Sequence, residues 1–241
     1  FENFKKDFVR LVKQHDNPIP NLSIFSEWEI FRNLKKKKIT VNLDGHGADE
    51  QLCGYEKYFS LYLKNLLKKL KFTKILSFFI EVFKSNIRNK KTFCVKVLIN
   101  LLPIKLVNLI KKFFNYGINE SWIKLEKKNK NYPFFSKNSV INENFFQFFY
   151  SSLPMQLNWS DINSMSHSIE TRSPFLDYNF VERVLPMQME NKISGIKSKL
   201  ILRETFKKII PKKIYNRNFK VGFTAPGEKW TKKNKRYIEK I

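Results

Sequence analysis

Ile39–Tyr58, ITVNLDGHGADEQLCGYEKY, is the stretch on which the reading of this chain turns. Ile39, Val41 and Leu43 alternate with Thr40 and Asn42, the period-two pattern of a short strand. The strand runs into Asp44-Gly45-His46-Gly47-Ala48-Asp49-Glu50, and Gly54-Tyr55 follows soon after. Glycines let a backbone turn tightly and come close to a ligand, leaving amide groups to face oxygen atoms. An aspartate just past such a turn can hold a magnesium ion against phosphates. The plainer alternative is an acidic turn between strand and helix, with Asp49 and Glu50 capping that helix.

Upstream, Phe4, Phe8 and Leu11 share one side of a predicted short helix. A loop follows through His15–Asn21, marked by Pro18, Pro20 and two asparagines. Ile24, Trp28, Phe31 and Leu34 recur at helical steps and predict a second helix to about Lys37. Helix, strand, ligand turn and helix is the grammar of an α/β nucleotide-binding sheet, with the ligand at the carboxyl end of the strand.

A second block, Ser164-Met165-Ser166-His167-Ser168-Ile169-Glu170-Thr171-Arg172-Ser173-Pro174-Phe175-Leu176-Asp177, changes the weight of the first. Two more follow: Lys199-Leu200-Ile201-Leu202-Arg203-Glu204, then Arg217, Lys220-Val221-Gly222-Phe223, Pro226 and Trp230. Together with LDGHGADE and Gly54-Tyr55, and in this order, they resemble the synthetase domain of the glutamine-hydrolysing asparagine synthases. That family carries L-[SD]-G-x-G-x-D-E with G-Y, D-x-x-S-M-x-x-x-x-E-x-R-x-P-F-L-D, K-x-x-L-R-E and R-x-x-K-x-G-F-x-x-P-x-x-x-W.

The resemblance implies an α/β fold, part of a parallel-sheet ATP pyrophosphatase-type (Rossmann-like) domain with extensive added helices. It implies ATP and Mg2+ as cofactors, with aspartate and glutamine-derived ammonia as substrates. In that chemistry ATP activates the aspartate side chain as an acyl-adenylate, pyrophosphate leaves, and ammonia displaces AMP. By resemblance Asp49 ligands magnesium, and the backbone at Gly45 and Gly47 contacts nucleotide or substrate. Lys199 holds the leaving pyrophosphate, and Lys220 stabilises the charged transition state or the intermediate. Asp161, Ser164, Glu170 and Arg172 build the acyl-substrate side, the arginine pairing a carboxylate or locking Glu170. His46 lies inside the glycine turn where relatives often carry Glu or Gln, which makes it the candidate for proton handling.

The departures from the family pattern are specific. No S-G-G-x-D-S loop and no N-terminal cysteine glutaminase occur in these 241 residues. The resemblance places both upstream of Phe1, so a piece of a longer chain, with the glutaminase domain as its covalent partner, is expected. Ile162 replaces the arginine of D-R-x-S-M, and Asn158 a common basic residue. Two further readings stay open: a related amidotransferase or cyclase acting on another carboxylate, and an inactive truncated remnant. A homodimer is among the expected assemblies.

Composition narrows the field. Hydrophobic residues make up 42%, placing the chain among globular proteins. Cys53 and Cys94 are the two cysteines, too few for a disulfide framework or zinc site, and a reduced cytoplasmic setting is expected. His15, His46 and His167 lack metal-ligand spacing. The formal charge of +25 invites a nucleic-acid reading, yet only eight of 46 basic residues are arginine and the lysines are spread throughout. That pattern reads as compositional bias, so no specific nucleic acid is expected.

Residues 60–130 read as lysine-rich helices, a variable insertion in the resembling family. Each keeps an apolar stripe and a basic face, taken as a packed side and a solvated side with no membrane role. Phe145–Tyr150, FFQFFY, reads as core, and Lys197–Ile210 as one helix stopped by Pro211.

Overall fold

The computed structural model describes residues 4–85, 87, 89–103, 106–107, 139–217 and 232. In chain order the elements are α1 (Phe4–His15), α2 (Ser23–Lys36), β1 (Val41–Leu43), α3 (Ala48–Gln51), α4 (Lys57–Lys68), α5 (Phe72–Lys84) and α6 (Lys90–Ile99). They continue with α7 (Ser139–Phe149), α8 (Ser152–Met165), β2 (Glu170–Arg172), α9 (Tyr178–Val184), β3 (Ile193–Ser194), β4 (Lys197–Ser198), α10 (Leu200–Thr205) and α11 (Lys212–Tyr215). Single 3-10 turns stand at Pro174–Leu176 and Met189–Asn191. The fold is mixed α/β, mostly helical with a small parallel sheet, consistent with an ATP pyrophosphatase-like domain.

The chain divides into two compact units: residues 4–46 and 152–177 contribute to the first, 47–151 and 178–217 to the second. In the first, α1, α2 and α8 enclose Leu11, Ile24, Phe25 and Trp28, with Phe4, Phe8, Ile19 and Trp159 against them. These are the apolar positions whose spacing predicted the two opening helices. Trp28 also meets His167 edge-on at 4.7 Å. His15 Nε2 is 2.8 Å from Asn163 Oδ1 in the same buried zone, so two of the three histidines serve packing.

β1 and β2 pair in parallel, with Val41 opposite Glu170, Asn42 opposite Thr171 and Leu43 opposite Arg172. The ladder extends at both ends: Glu170 N–H donates to Thr40 O and Asp44 N–H to Arg172 O, each at 2.9 Å. The alternation identified the strand, but Val41 and Leu43 face outward while the half-buried face is that of Asn42 and Thr171. Asp44 and Arg172 thus stand together at the carboxyl ends of parallel strands, where α/β folds place ligands.

In the second unit, α4, α5 and α6 pack around Tyr58, Phe59, Leu63, Phe78, Val82 and Phe93, joined by Met189 and Ile193. These helices are the described part of the 60–130 segment; its remainder beyond Val107 lies outside the described residues. Two expectations need correction here. Lys197 and Ser198 form β4, antiparallel to β3, and the helix begins only at Leu200 because Lys199 adopts φ +55°, outside the helical region. On α7 the buried side chains are Val140, Asn144 and Gln147, while Phe149 and, just beyond the helix, Tyr150 are exposed. The aromatic run is therefore not core throughout, because α7 turns Val140, Asn144 and Gln147 inward, and Asn144 hydrogen-bonds the α3 segment.

Several helices stop without glycine. Ile39 N–H donates to Leu34 O, Lys71 N–H to Leu66 O, and Ile169 N–H to Ser164 O, each closing a Schellman motif. The left-handed position in these is filled by Lys38, Leu70 and Ser168. Left-handed backbone costs such residues about 1–2 kcal/mol. The few glycines are used elsewhere.

Candidate active site

In the first unit the strand ends organise a charged cluster. Asp44 Oδ2 lies 2.6 Å from His46 Nδ1, and His46 N–H donates to Asp44 Oδ1 at 3.1 Å, so the carboxylate folds back over its own turn. Burial pushes the Asp44 carboxyl up, but hydrogen bonds from His46 and Ser173 and the nearby imidazole outweigh this and hold it below its usual range. Asp44 was not among the sequence candidates; its place directly after the strand was the available signal. Glu170 and Arg172, same-face neighbours on β2, form an exposed ion pair at 2.7 Å. Asp161 is exposed on α8. Ser164 is buried and its Oγ donates to Asp161 O at 3.0 Å, so its hydroxyl is spent within the helix.

Gly45 stands in open space. A Cβ built there meets nothing within 4 Å, so no described residue needs its small size. The open Cα leaves the backbone approachable. Gly47 has another reason: at φ +86° it occupies a conformation most L-residues avoid, and it starts α3 by accepting from Gln51 N–H at 3.2 Å.

In the second unit, Asp49 and Lys199 come together from distant parts of the sequence. Lys199 Nζ is 2.7 Å from Asp49 Oδ1, with both side chains largely shielded. The backbones are tied as well, Lys199 N–H donating to Leu52 O at 3.1 Å. Lys199 therefore holds its left-handed conformation because both ends of the residue are anchored to the α3 turn. Gly54 completes this fit. A Cβ at residue 54 would lie 1.8 Å from Asp49 Oδ1 and 2.7 Å from its Cγ, so only glycine leaves the carboxylate its place.

Behind the pair sits a buried polar network that the sequence did not reveal. Asn144 Nδ2 donates to the Glu50 carbonyl oxygen, which also accepts from Tyr58 Oη at 3.2 Å, and Tyr55 Oη donates to the Glu50 carboxylate. Lys192, fully buried, donates Nζ to Leu185 O at 2.8 Å and to Asn144 Oδ1 at 3.3 Å. Its own carbonyl accepts from Leu200 N–H at 3.0 Å. Lys192 thus braces Asp49 through Asn144 and α3, and Lys199 through its backbone. Burial lowers the Lys192 ammonium to about 8, against the pull of the nearby Cys53. Burial likewise raises the Cys53 thiol to about 11, with Lys192 and Asn144 pulling the other way.

Lys220, with the Gly222-Phe223 turn, lies outside the described residues. Among the described residues no group of three or more His, Cys, Asp or Glu side chains could hold a metal ion by itself. Magnesium at a phosphate site does not require one: it usually keeps waters and takes one or two carboxylates besides the phosphates. Asp49 is the carboxylate that would be offered to such an ion, and its Oδ1 is paired here with Lys199 at 2.7 Å.

A small α/β sheet with an acidic glycine turn beyond its strand defines the class, and comparison with known proteins narrows it. Residues 2–241 match the asparagine synthase family, and the chain belongs to that family. Asparagine synthetase [glutamine-hydrolyzing] 1 of Bacillus subtilis (strain 168) is 26% identical over 244 residues, covering 96% of this chain. The chain spans 38% of that relative's length. No solved structure matches it. No helix among the described residues is long and apolar enough to cross a membrane.

Proposed function

We propose that this chain is the synthetase part of an enzyme that converts aspartate to asparagine with ATP. The observation that carries the reading is the Asp49–Lys199 pair, 2.7 Å apart and drawn from two separate family blocks. The aspartate side-chain oxygen attacks the α-phosphorus, the bond to pyrophosphate breaks, and ammonia then attacks the acyl carbon as AMP leaves. Two residues of this chain meet the phosphate end: Lys199 neutralises the leaving pyrophosphate, and Asp49 holds Mg2+, which supplies charge neutralisation there. The open Cα of Gly45 admits the nucleotide close to the backbone. Glu170, Arg172 and Asp161 bound the acyl substrate, His46 handles a proton beside Asp44, and stabilising the charged intermediate is the role assigned to Lys220 by its place in the family pattern. Ammonia comes from glutamine hydrolysed in another domain of the same full-length protein, in a cytoplasmic setting.

The test is ATP–pyrophosphate exchange by the native polypeptide carrying these residues, with aspartate and a panel of other carboxylic acids. Exchange dependent on aspartate and lost in Asp49→Asn supports the reading. Exchange with a different acid keeps the chemistry and replaces the substrate, which the departures at His46, Asn158 and Ile162 make the natural second reading. No exchange with any acid ends the catalytic proposal.

A further inference from the structure

α5 carries apolar residues on two sides. Phe78 and Val82 are buried in the core of the second unit. A separate stripe, Phe72, Leu76, Ile80 and Phe83, faces outward with exposures of 62%, 64%, 44% and 58%. At 3.6 residues per turn these four positions fall within one narrow sector of the helix. Leu70, 71% exposed in the turn just before α5, prolongs the run of outward apolar side chains. Its backbone sits at φ +52°, the Schellman position that glycine normally takes, so a large apolar side chain stands outward there at a conformational cost.

The charge around the stripe is mainly basic. Between Lys57 and Val107 the sequence holds a single acid, Glu81, on another side of α5. Its Oε2 accepts from Ile196 N–H at 3.1 Å, tying it to the β3–β4 turn. Exposed Lys71 and Lys84 adjoin the two ends of the stripe, and Lys68 and Lys69 precede it, Lys69 pairing with Glu190 at 2.7 Å. An outward apolar stripe flanked mainly by lysines is the pattern of a helix that lies in the headgroup boundary of a bilayer. Anionic lipid supplies the opposite charge. A second copy of the chain does not, because it would bring one lysine-flanked face of a +25 protein against another.

We propose that the outward face of α5, with Leu70, docks the protein on an anionic membrane surface. The sequence pattern alone suggested a solvated basic side; the helix in place adds a second apolar sector that is also exposed. The docking is independent of the catalytic reading.

The experiment is co-sedimentation of the native polypeptide with vesicles of phosphatidylglycerol and phosphatidylcholine, against vesicles of phosphatidylcholine alone. Leu76→Ser/Phe83→Ser is the variant, its fold checked by circular dichroism, since both side chains lie outside the core. Binding to the anionic vesicles is expected, weaker by on the order of a hundredfold in the variant, the effect of two large apolar side chains. Equal binding by variant and wild type would reduce the interaction to lysine adhesion and overturn the proposal. So would failure of the wild type to bind, or a concentration-dependent self-association, seen by ultracentrifugation, that the variant abolishes.

Discussion

The Lys199 ammonium lies 2.7 Å from the Asp49 carboxylate, and the Lys199 amide is anchored to Leu52, three residues beyond that aspartate. Backbone and side chain of one residue thus grip the same turn. Such a pair acts as a unit, and its removal should read as one event.

Asp49→Asn and Lys199→Met are each expected to lower pyrophosphate release at saturating ATP by about a hundredfold or more. The double variant should be little worse than either single one, because groups acting together are not additive. Initial rates of the native enzyme decide this. Costs that simply add would show that the two side chains work apart.

Gly54→Ala should act through Asp49. The added methyl takes the space of the carboxylate, so the variant is expected to lose about 1–3 kcal/mol of stability by overpacking. It should also release pyrophosphate as poorly as Asp49→Asn. Urea denaturation together with the rate assay tests both halves, and a stable, fully active Gly54→Ala would remove the steric account.

The buried Lys192–Cys53 neighbourhood should make stability depend on alkaline pH. Lys192 titrates at about 8 in the fold against 10.5 ordinarily, so the unfolded chain binds more protons between those values and stability rises with pH there. Cys53 shifts from 9.0 to about 11, so its contribution falls as pH rises above 9. Tyr58, also raised by burial, acts in the same falling sense above its ordinary 10. The sum is a rise near pH 8–9 that flattens beyond it. In Cys53→Ala the rise should continue further, and in Lys192→Met it should vanish. Denaturant midpoints across pH 7–10 measure this, and a wild-type profile falling between 8 and 9 would contradict it.

Glycine placed where the chain ends its helices left-handed should stabilise it. Lys38→Gly, at φ +58° after α2, is expected to gain about 1 kcal/mol. A change of the opposite sign would mean that the lysine side chain contributes more than its backbone costs.

Local sequence carried much of this structure, because periodic apolar residues and glycine turns act over a few neighbours. The spacing of Phe4, Phe8 and Leu11, and of Ile24, Trp28 and Phe31, specified α1 and α2 nearly to the residue. The alternation at Ile39–Leu43 specified β1, and four ordered blocks specified the family. Helix ends were harder to read where lysine, leucine or serine took the left-handed position, since no glycine announced them.

Contacts between distant segments decided the rest. Nothing in the FFQFFY run shows that Asn144 would turn inward to hold the Glu50 carbonyl, because that depends on α3 lying against α7. Lys192 is one lysine among many in sequence, and becomes a buried brace only where Leu185, Asn144 and Leu200 converge on it. Lys199 was legible as a family position. Its partner, its strained backbone and the reason Gly54 must stay glycine follow from where the folded chain brings them, since burial and hydrogen bonding are properties of neighbours in space.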